Sequence, residues 1–364
     1  MKSRHELKER RVDLHQKEYR KKSKGLRWLI GIIVTVLLGA LVYATYLYFE
    51  AKSSFDSAFD SKTSVKISSD EFNGKKPFAV LLMGTDTGAL DRTDKVGNTD
   101  TIIVAVVNPS KKRYSLISIP RDTMAQMIGA DKFTAEKINA AYPLGGARMS
   151  IDTVSKLLNI PLKYYVLVNM GGMMKMIRYV GGINIKPTLS FEYGGYIFNK
   201  GKLTHMGGAG ALAYSRMRHD DPLGDYGRQI RQRQVINALI KKMFGMNAIT
   251  NSGKILKSVS KNLKTNLTFN ALQAIAVNYR KSTKSVKNDY LHGYSATIDG
   301  GSYQIQSTKE LQRVSNYIRS ELGLSKETIN NNETFQNAEN IANGFSFSSA
   351  ETQEYHIYDY SGGD

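Results

Sequence analysis

Five arginines, Arg216, Arg218, Arg228, Arg231 and Arg233, fall within the stretch 214–234, around a short loop that carries Asp220, Asp221 and Asp225. Guanidinium groups packed closely repel one another by about 4 kcal/mol per pair at 4 Å and an effective dielectric of 20. Such a group either splays into water, as on a solvated helix face, or is filled by an anion. Planar forks suit bidentate phosphate, and a helix N-terminus adds free N–H groups and a positive dipole end. A di- or polyphosphate is the anion this cluster fits best.

The elements needed to present these groups can be read from the spacing. Arg216 and Arg218 alternate as extended residues do, so their side chains emerge on one face. Pro222 and Gly224 then turn the chain, Asp225 is placed to N-cap, and a helix is expected over 226–244. On that helix Arg228, Arg231 and Gln232 lie at i, i+3 and i+4. Upstream, 78–83 is a continuous apolar run that reads as a strand buried on both faces, ending in Gly84-Thr85-Asp86-Thr87-Gly88. A second strand over 101–107, a turn at 108–112 and a third strand over 113–119 form a hairpin. Asp100 opens this hairpin and Arg121 leaves it, so antiparallel pairing brings them together. Asp86 and Asp100 beside Arg121 then make a carboxylate pair next to a cation. Taken singly, each aspartate is better explained as capping a strand end or accepting loop N–H bonds. Together they supply the one or two hard oxygen ligands that Mg²⁺ takes while leaving positions for water and phosphate.

The rest of the chain sets limits. Its 364 residues carry a net charge of +19 and no cysteine, which excludes disulfides, thiol catalysis and thiolate metal sites. Six histidines, none in zinc-site spacing, leave little room for a zinc enzyme. Residues 1–27 are polar and basic and hold +7 of the charge, leaving +12 beyond them. Residues 28–49 carry no charge until Glu50 and are long enough, at about 1.5 Å per residue, for a bilayer core of about 30 Å. The basic flank predicts a single membrane span with Met1 in the cytoplasm and everything after Glu50 outside, at the cell membrane. Nucleic acid is excluded as a partner on that topology. Residues 50–76 read as a stalk. Further helices are expected at 148–158, 170–180 and 207–214, around Ile255, Val259 and Leu263, around Leu272, Ile275 and Val277, and at 308–322. Strands are expected at 164–169, 183–186 and 289–297. From Ser325 no apolar period survives, so 325–364 is expected to be a disordered polar tail. Interleaved strands and helices make this an α/β domain.

In order and spacing these motifs resemble the LytR-CpsA-Psr family of cell-envelope phosphotransferases. The carriers are Leu81 to Gly88, Asp100-Thr101, Ser118-Ile119-Pro120-Arg121-Asp122, Lys137-Ile138-Asn139-Ala140, Tyr214-Ser215-Arg216-Met217-Arg218, Gly227-Arg228-Gln229 and Arg231-Gln232-Arg233-Gln234. The resemblance implies a three-layer α-β-α domain with a central mixed sheet over 77–324. It implies transfer of an anionic glycopolymer, teichoic-acid-like or capsular, from a polyprenyl-pyrophosphate carrier to peptidoglycan in a Gram-positive envelope. By position, Asp86 and Asp100 are then the carboxylates of Mg²⁺, with Mn²⁺ as its substitute. Arg121, Arg216, Arg218, Arg228 and Gln232 are pyrophosphate ligands, with Arg92 a looser one. Asp225 either orients Arg228 or acts as base. The carrier's tail would need an apolar groove, for which the faces of 148–158, 170–180 and 236–244 are available, though the same faces would serve as core.

Three other readings use the same residues. A non-catalytic receptor for wall polymer would employ the arginines without turnover, but carboxylates weaken an anion site unless a metal neutralises them. An envelope-linked regulator is suggested by the charge and opposed by the topology. A polyprenyl-pyrophosphate phosphatase differs only in using water as acceptor.

Overall fold

The computed structural model describes residues 69–89, 97–245 and 263–360, together with Thr45, Phe49, Lys52, Ser53 and Phe59. Backbone contacts divide the chain into Met1–Ser53 and Ser54–Asp364, and the second unit carries every element below. In chain order they are β1 (Phe78–Thr85), β2 (Thr99–Asn108), β3 (Arg113–Ile119), β4 (Met124–Gln126), β5 (Ala135–Lys137), α1 (Ala141–Leu158), β6 (Tyr164–Asn169) and α2 (Met170–Tyr179). Next come β7 (Ile183–Ile185), β8 (Phe191–Tyr193), β9 (Tyr196–Phe198), β10 (Thr204–Met206), α3 (Gly208–Arg216) and α4 (Gly224–Gly245). The chain closes with β11 (Leu263–Thr265), α5 (Phe269–Asn278), β12 (Ser285–Tyr290), β13 (Tyr294–Ile298), β14 (Gly301–Ile305), α6 (Thr308–Leu322), α7 (Asn332–Ala342) and β15 (Gln353–Glu354).

The central sheet is mixed, in the order β11-β6-β1-β2-β3-β12. β1, β2 and β3 form an antiparallel meander, β6 runs parallel to β1, and β12 runs parallel to β3. The period of two in each strand explains the unbroken apolar runs. Ala79, Leu81, Met83, Ile102, Val104, Val106, Ile117 and Ile119 point one way, into a core shared with α1 and α6. Val80, Leu82, Ile103, Ala105, Tyr114 and Leu116 point the other way, toward α5 and toward Ile236 and Ile240 of α4. Helices therefore cover both faces, and both faces of these strands are largely apolar, the buried Ser115 and Ser118 being hydrogen-bonded to Tyr317 and Arg233. A second core gathers α2, α3, α4 and the small strands β7 to β10.

The direction of the strands decides where a site can form. The C-terminal ends of β1, β3, β6 and β12 and the N-terminal end of β2 all lie on one edge of the sheet, because β2 alone among these runs the opposite way. Loops 85–88, 119–122, 169–170 and 290–293 thus converge on that edge.

Several expectations are corrected. Residues 325–360 are folded: α7 packs on the domain, and β15 pairs with β13. The hydropathy signal was absent because the buried residues are largely amides. Asn331, Asn332, Gln336, Asn337 and Asn340 are buried and spend their side chains on backbone carbonyls and on one another. Phe345 and Tyr355 add an apolar cluster with Met124, Ala296, Ile298 and Ile305. The stalk also ends earlier than expected, since Phe72 is buried against Phe78 and Tyr164. The single strand expected over 289–297 divides into β12 and β13, where the Leu291 N–H donates to the Ser118 carbonyl and Gly293 is buried against Gln304 and Gln306. Leu263, expected on a helix, opens β11, and 246–262 lie outside the described residues. So do most of 28–49; among the described residues no helix is long and apolar enough to cross a membrane.

Candidate functional site

Asp86 follows the last residue of β1, and Thr85 is paired with Thr99, the neighbour of Asp100. The pairing slips between Gly84 and Thr85, an irregularity of the kind that re-aims side chains at sheet edges. The Asp86 carboxylate lies against Gly97, where a Cβ would come within 2.9 Å of Oδ1. Glycine is needed there by proximity alone. Across the hairpin, Asp100 Oδ1 accepts from Arg121 Nη1 at 2.8 Å. Asp100 and Arg121 therefore meet on the convergent edge, and the strand register puts Asp86 on the same edge.

Helix α4 brings the second set. Arg228 Nη2 donates to the Asp100 carbonyl at 3.5 Å, and it lies 2.7 Å from Asp225 Oδ1 as an ion pair without hydrogen-bond alignment. Asp225 Oδ2 accepts from Gln229 Nε2 at 3.0 Å. Asp225 is not the N-cap. Gly224 already belongs to the helix, and Asp221 holds the preceding turn by accepting from the Leu223 N–H with its side chain and the Gly224 N–H with its carbonyl. The Asp225 carboxylate is thereby released to face Arg228.

Burial lowers the basicity of Arg228, Asp225 and Asp100 oppose that, and the nearby charges of Arg121 and Arg218 add to it. For Arg121, burial also favours losing the proton, but Asp100, Asp122 and Asp225 outweigh it and the net shift is upward. Arg121, Arg218 and Arg228 thus share one field with Asp100 and Asp225. Within it the Nε–H groups of Arg121 and Arg228 are buried without a hydrogen-bond partner among the described residues. Arg121 Nε lies 3.5 Å from Asp122 Oδ2, close enough for charge but not for a hydrogen bond. Two buried, unpartnered guanidinium donors are costly unless an acceptor arrives.

Arg216 and Arg218 are not on a strand. Arg216 ends α3, and Met217 leaves the helical region with φ −54° and ψ 136°. Met217 is fully buried between the partly exposed Arg216 and Arg218. Arg216 Nη1 reaches Met170 Sδ at 3.5 Å, at the start of α2, whose Met170 N–H donates to the Thr87 carbonyl. Gln232 sits one turn beyond Arg228 and is partly buried. Arg92 lies outside the described residues.

Two of the five arginines serve the scaffold. Arg231 is 1% exposed, donates from Nε to the Tyr214 carbonyl at 3.0 Å, and pairs with Asp221 and the Met217 carbonyl. It pins the segment that carries Arg216 and Arg218. Arg233, about 140° round the helix from Arg228, faces the sheet and donates to Ser118 Oγ. Burial brings it down to about 10, against the pull of Asp289 and Tyr290. Sequence reading quoted Gln229 in a motif without giving it a role, and it missed Tyr226, whose hydroxyl accepts from the Gly293 N–H at 2.8 Å and whose phenol burial pushes up to about 12. Gln229 was findable, being one turn from Asp225. Tyr226 was not, because its partner is distant in sequence.

The apolar faces considered for a lipid groove are largely occupied by packing: that of α1 by the main core, and those of α2 and α4 by each other's surroundings and by the sheet.

The model of the LytR_cpsA_psr family matches residues 42–320. A relative from Enterococcus faecalis, polyisoprenyl-teichoic acid–peptidoglycan teichoic acid transferase TagU, is 41% identical over 294 residues, covering 81% of this chain and 96% of its own. The crystal structure of TagU from Bacillus subtilis is similar with a TM-score of 0.56 at 38% identity, over 70% of this chain and 100% of that one. A structure of TagT bound to LIIa-WTA has a TM-score of 0.58 at 25% identity, over 72% and 96% of the two chains.

Proposed function

The chain belongs to the LytR-CpsA-Psr family, and from that premise we propose that it transfers a teichoic-acid-like glycopolymer from a polyprenyl-pyrophosphate carrier to a sugar hydroxyl of peptidoglycan. The observation that carries the reading is the pair of buried Nε–H donors on Arg121 and Arg228, unpartnered among the described residues, at one sheet edge and in one field with Arg218, Asp100 and Asp225. That arrangement asks for a diphosphate.

Phosphoryl transfer needs alignment and neutralisation more than covalent help. Arg121 and Arg228 hold the diphosphate by their inward donors, while Asp100 and Asp225 hold those guanidiniums in place. Arg216 at the end of α3 and Arg218 just beyond it neutralise the outer oxygens. The acceptor hydroxyl attacks the phosphorus next to the polymer, the bond from that phosphorus to the bridging oxygen breaks, and polyprenyl phosphate leaves. Asp225, next to Arg228 and bonded to Gln229, is the carboxylate suited to orient or accept the proton of that hydroxyl.

Mg²⁺ fits the donor set. Asp100 commits Oδ1 to Arg121 and has a second oxygen, and Asp86 follows the end of the adjacent strand. Among the described residues no group of three or more His, Asp or Glu converges, so a cation here takes most of its ligands from phosphate and water, as Mg²⁺ does. Bound there, the ion would neutralise charge on the diphosphate. Mn²⁺ could replace it. The membrane span expected at 28–49 would hold the domain outside the cell beside a lipid-borne substrate, raising its local concentration. Hydrolysis of the carrier is the side reaction expected when water takes the acceptor's place.

The test uses the full-length protein, a labelled carrier-linked polymer and peptidoglycan. Arg218→Ala and Asp100→Ala are expected to reduce transfer by about 10²–10³ or more with melting temperatures close to wild type, and chelation of divalent cations to stop it until Mg²⁺ is restored. Full activity in either variant removes that residue from the mechanism. Polymer binding without release of polyprenyl phosphate by the wild type would establish the non-catalytic receptor instead.

A further inference from the structure

A row of aromatic rings starts at Tyr226, one residue from Asp225, and runs away from the arginine cluster. Tyr226 lies with its ring centroid 5.2 Å from Tyr290 and 5.7 Å from His292; His292 is 5.1 Å from Tyr294, and Tyr294 is 5.1 Å from Phe347. Tyr290, His292 and Tyr294 are spaced by two, as residues sharing one face of an extended chain are. The row is on the surface: Tyr290 and His292 are exposed, and Tyr226, Tyr294 and Phe347 are partly so. Polar groups rim it. Gln304 Nε2 donates to Ser295 Oγ at 3.1 Å, and Arg313 is held by Asp289 and Glu310.

This surface differs in kind from the arginine cluster beside it. Arg313, which flanks it, is already paired with two carboxylates, so the surface favours a neutral ligand over a polyphosphate. Exposed rings with fixed hydroxyl and amide groups at their margins match the faces of a pyranose, which are apolar C–H surfaces edged by hydroxyls. Its near end abuts Asp225, where the attacking hydroxyl must stand. We infer that the row from Tyr226 to Phe347 is the acceptor subsite, taking consecutive sugar rings of a largely uncharged glycan strand and delivering a hydroxyl to the phosphorus. This rests on the transfer reading above. The far end of the row, Phe347, belongs to the folded segment beyond residue 320, where the family match stops.

Full-length protein in lipid nanodiscs is titrated with a peptide-free peptidoglycan tetrasaccharide, and transfer kinetics are measured against both substrates. The double variant Tyr290→Ala, Tyr294→Ala is expected to lose about tenfold or more in glycan affinity and to raise the acceptor KM to match, with the donor KM unchanged. The variant Tyr290→Phe, Tyr294→Phe keeps the rings and is expected to bind as wild type. If the double alanine variant melts early, the single Tyr290→Ala, a surface change, carries the same measurement with a smaller effect. Wild-type glycan affinity and acceptor KM in the alanine variants overturn the inference, as does equal damage to donor and acceptor KM. Should the wild type transfer nothing, the proposed function fails, while the titration still decides whether a glycan subsite exists.

Discussion

Gly227→Ala separates local propensity from tertiary constraint. The residue lies inside α4, where alanine is favoured over glycine by about 1 kcal/mol. A Cβ at that position, however, would fall well under 3.0 Å from the carboxylate of Asp221. That carboxylate is the partner of Arg231, both are almost wholly buried, and Arg231 in turn holds the carbonyls of Tyr214 and Met217. Displacing one member of a buried pair costs about 3–5 kcal/mol. With the propensity gain subtracted, Gly227→Ala is expected to destabilise the domain by about 2–4 kcal/mol. The loss should reach function as well, because the segment released is the one that aims Arg216 and Arg218. Urea denaturation of wild type and variant, paired with transfer assays below the transition, measures both effects. Unchanged or increased stability with full activity would refute the claim that the Asp221–Arg231 pair organises the arginine loop.

Three further outcomes follow from the folded C-terminal segment and the far edge of the sheet. Removing 325–364 exposes the cluster around Met124, Ala296 and Ile305, and it takes away the Gln126 N–H acceptor on Glu333. Limited proteolysis is expected to cut the truncated protein rapidly near 120–137, and resistance equal to wild type would count against a structural role. Burial raises the pKa of Glu333, so the folded state favours its proton. The resulting penalty is absent below the unfolded carboxylate pKa of about 4.3 and grows as pH rises above it. Glu333→Gln, which keeps an acceptor for Gln126, should melt higher than wild type at neutral pH, and thermal scans should show that advantage vanish near pH 4. Glu321 behaves in the opposite sense. Burial opposes its ionisation, but hydrogen bonds from Arg113 and Lys111 prevail and depress its pKa. Its stabilisation is present above the unfolded pKa and lost as pH falls through the folded one, so Glu321→Gln should cost melting temperature at pH 7 and nothing in strong acid.

Much of the site was legible because it depends on short-range rules. A continuous apolar run identified the first strand, the turn at 108–112 made a hairpin, and a hairpin cannot avoid bringing Asp100 to Arg121. The helix carrying Arg228 was expected within two residues of its observed start. The secondary structure of Arg216 to Arg218 was misread: Arg216 ends a helix, and Met217 between the two is extended. The tail was illegible for a different reason. Hydropathy finds segments that bury apolar surface, whereas this one buries carboxamides, of which Asn331, Asn337 and Asn340 donate to carbonyls on other elements.

By itself the amino-acid order determined which residue types are present, their local spacing, and a strand-rich α/β pattern with an excess of cations around one loop. Only the tertiary structure decided which of those cations are available. Arg231 and Arg233 differ from Arg228 by less than two helical turns, yet the fold presses them against α3 and the sheet and leaves Arg121 and Arg228 with open donors. The reason is that a hydrogen-bond partner for a buried charge is chosen by packing across the whole chain, and no spacing along it records which carbonyl or carboxylate will arrive.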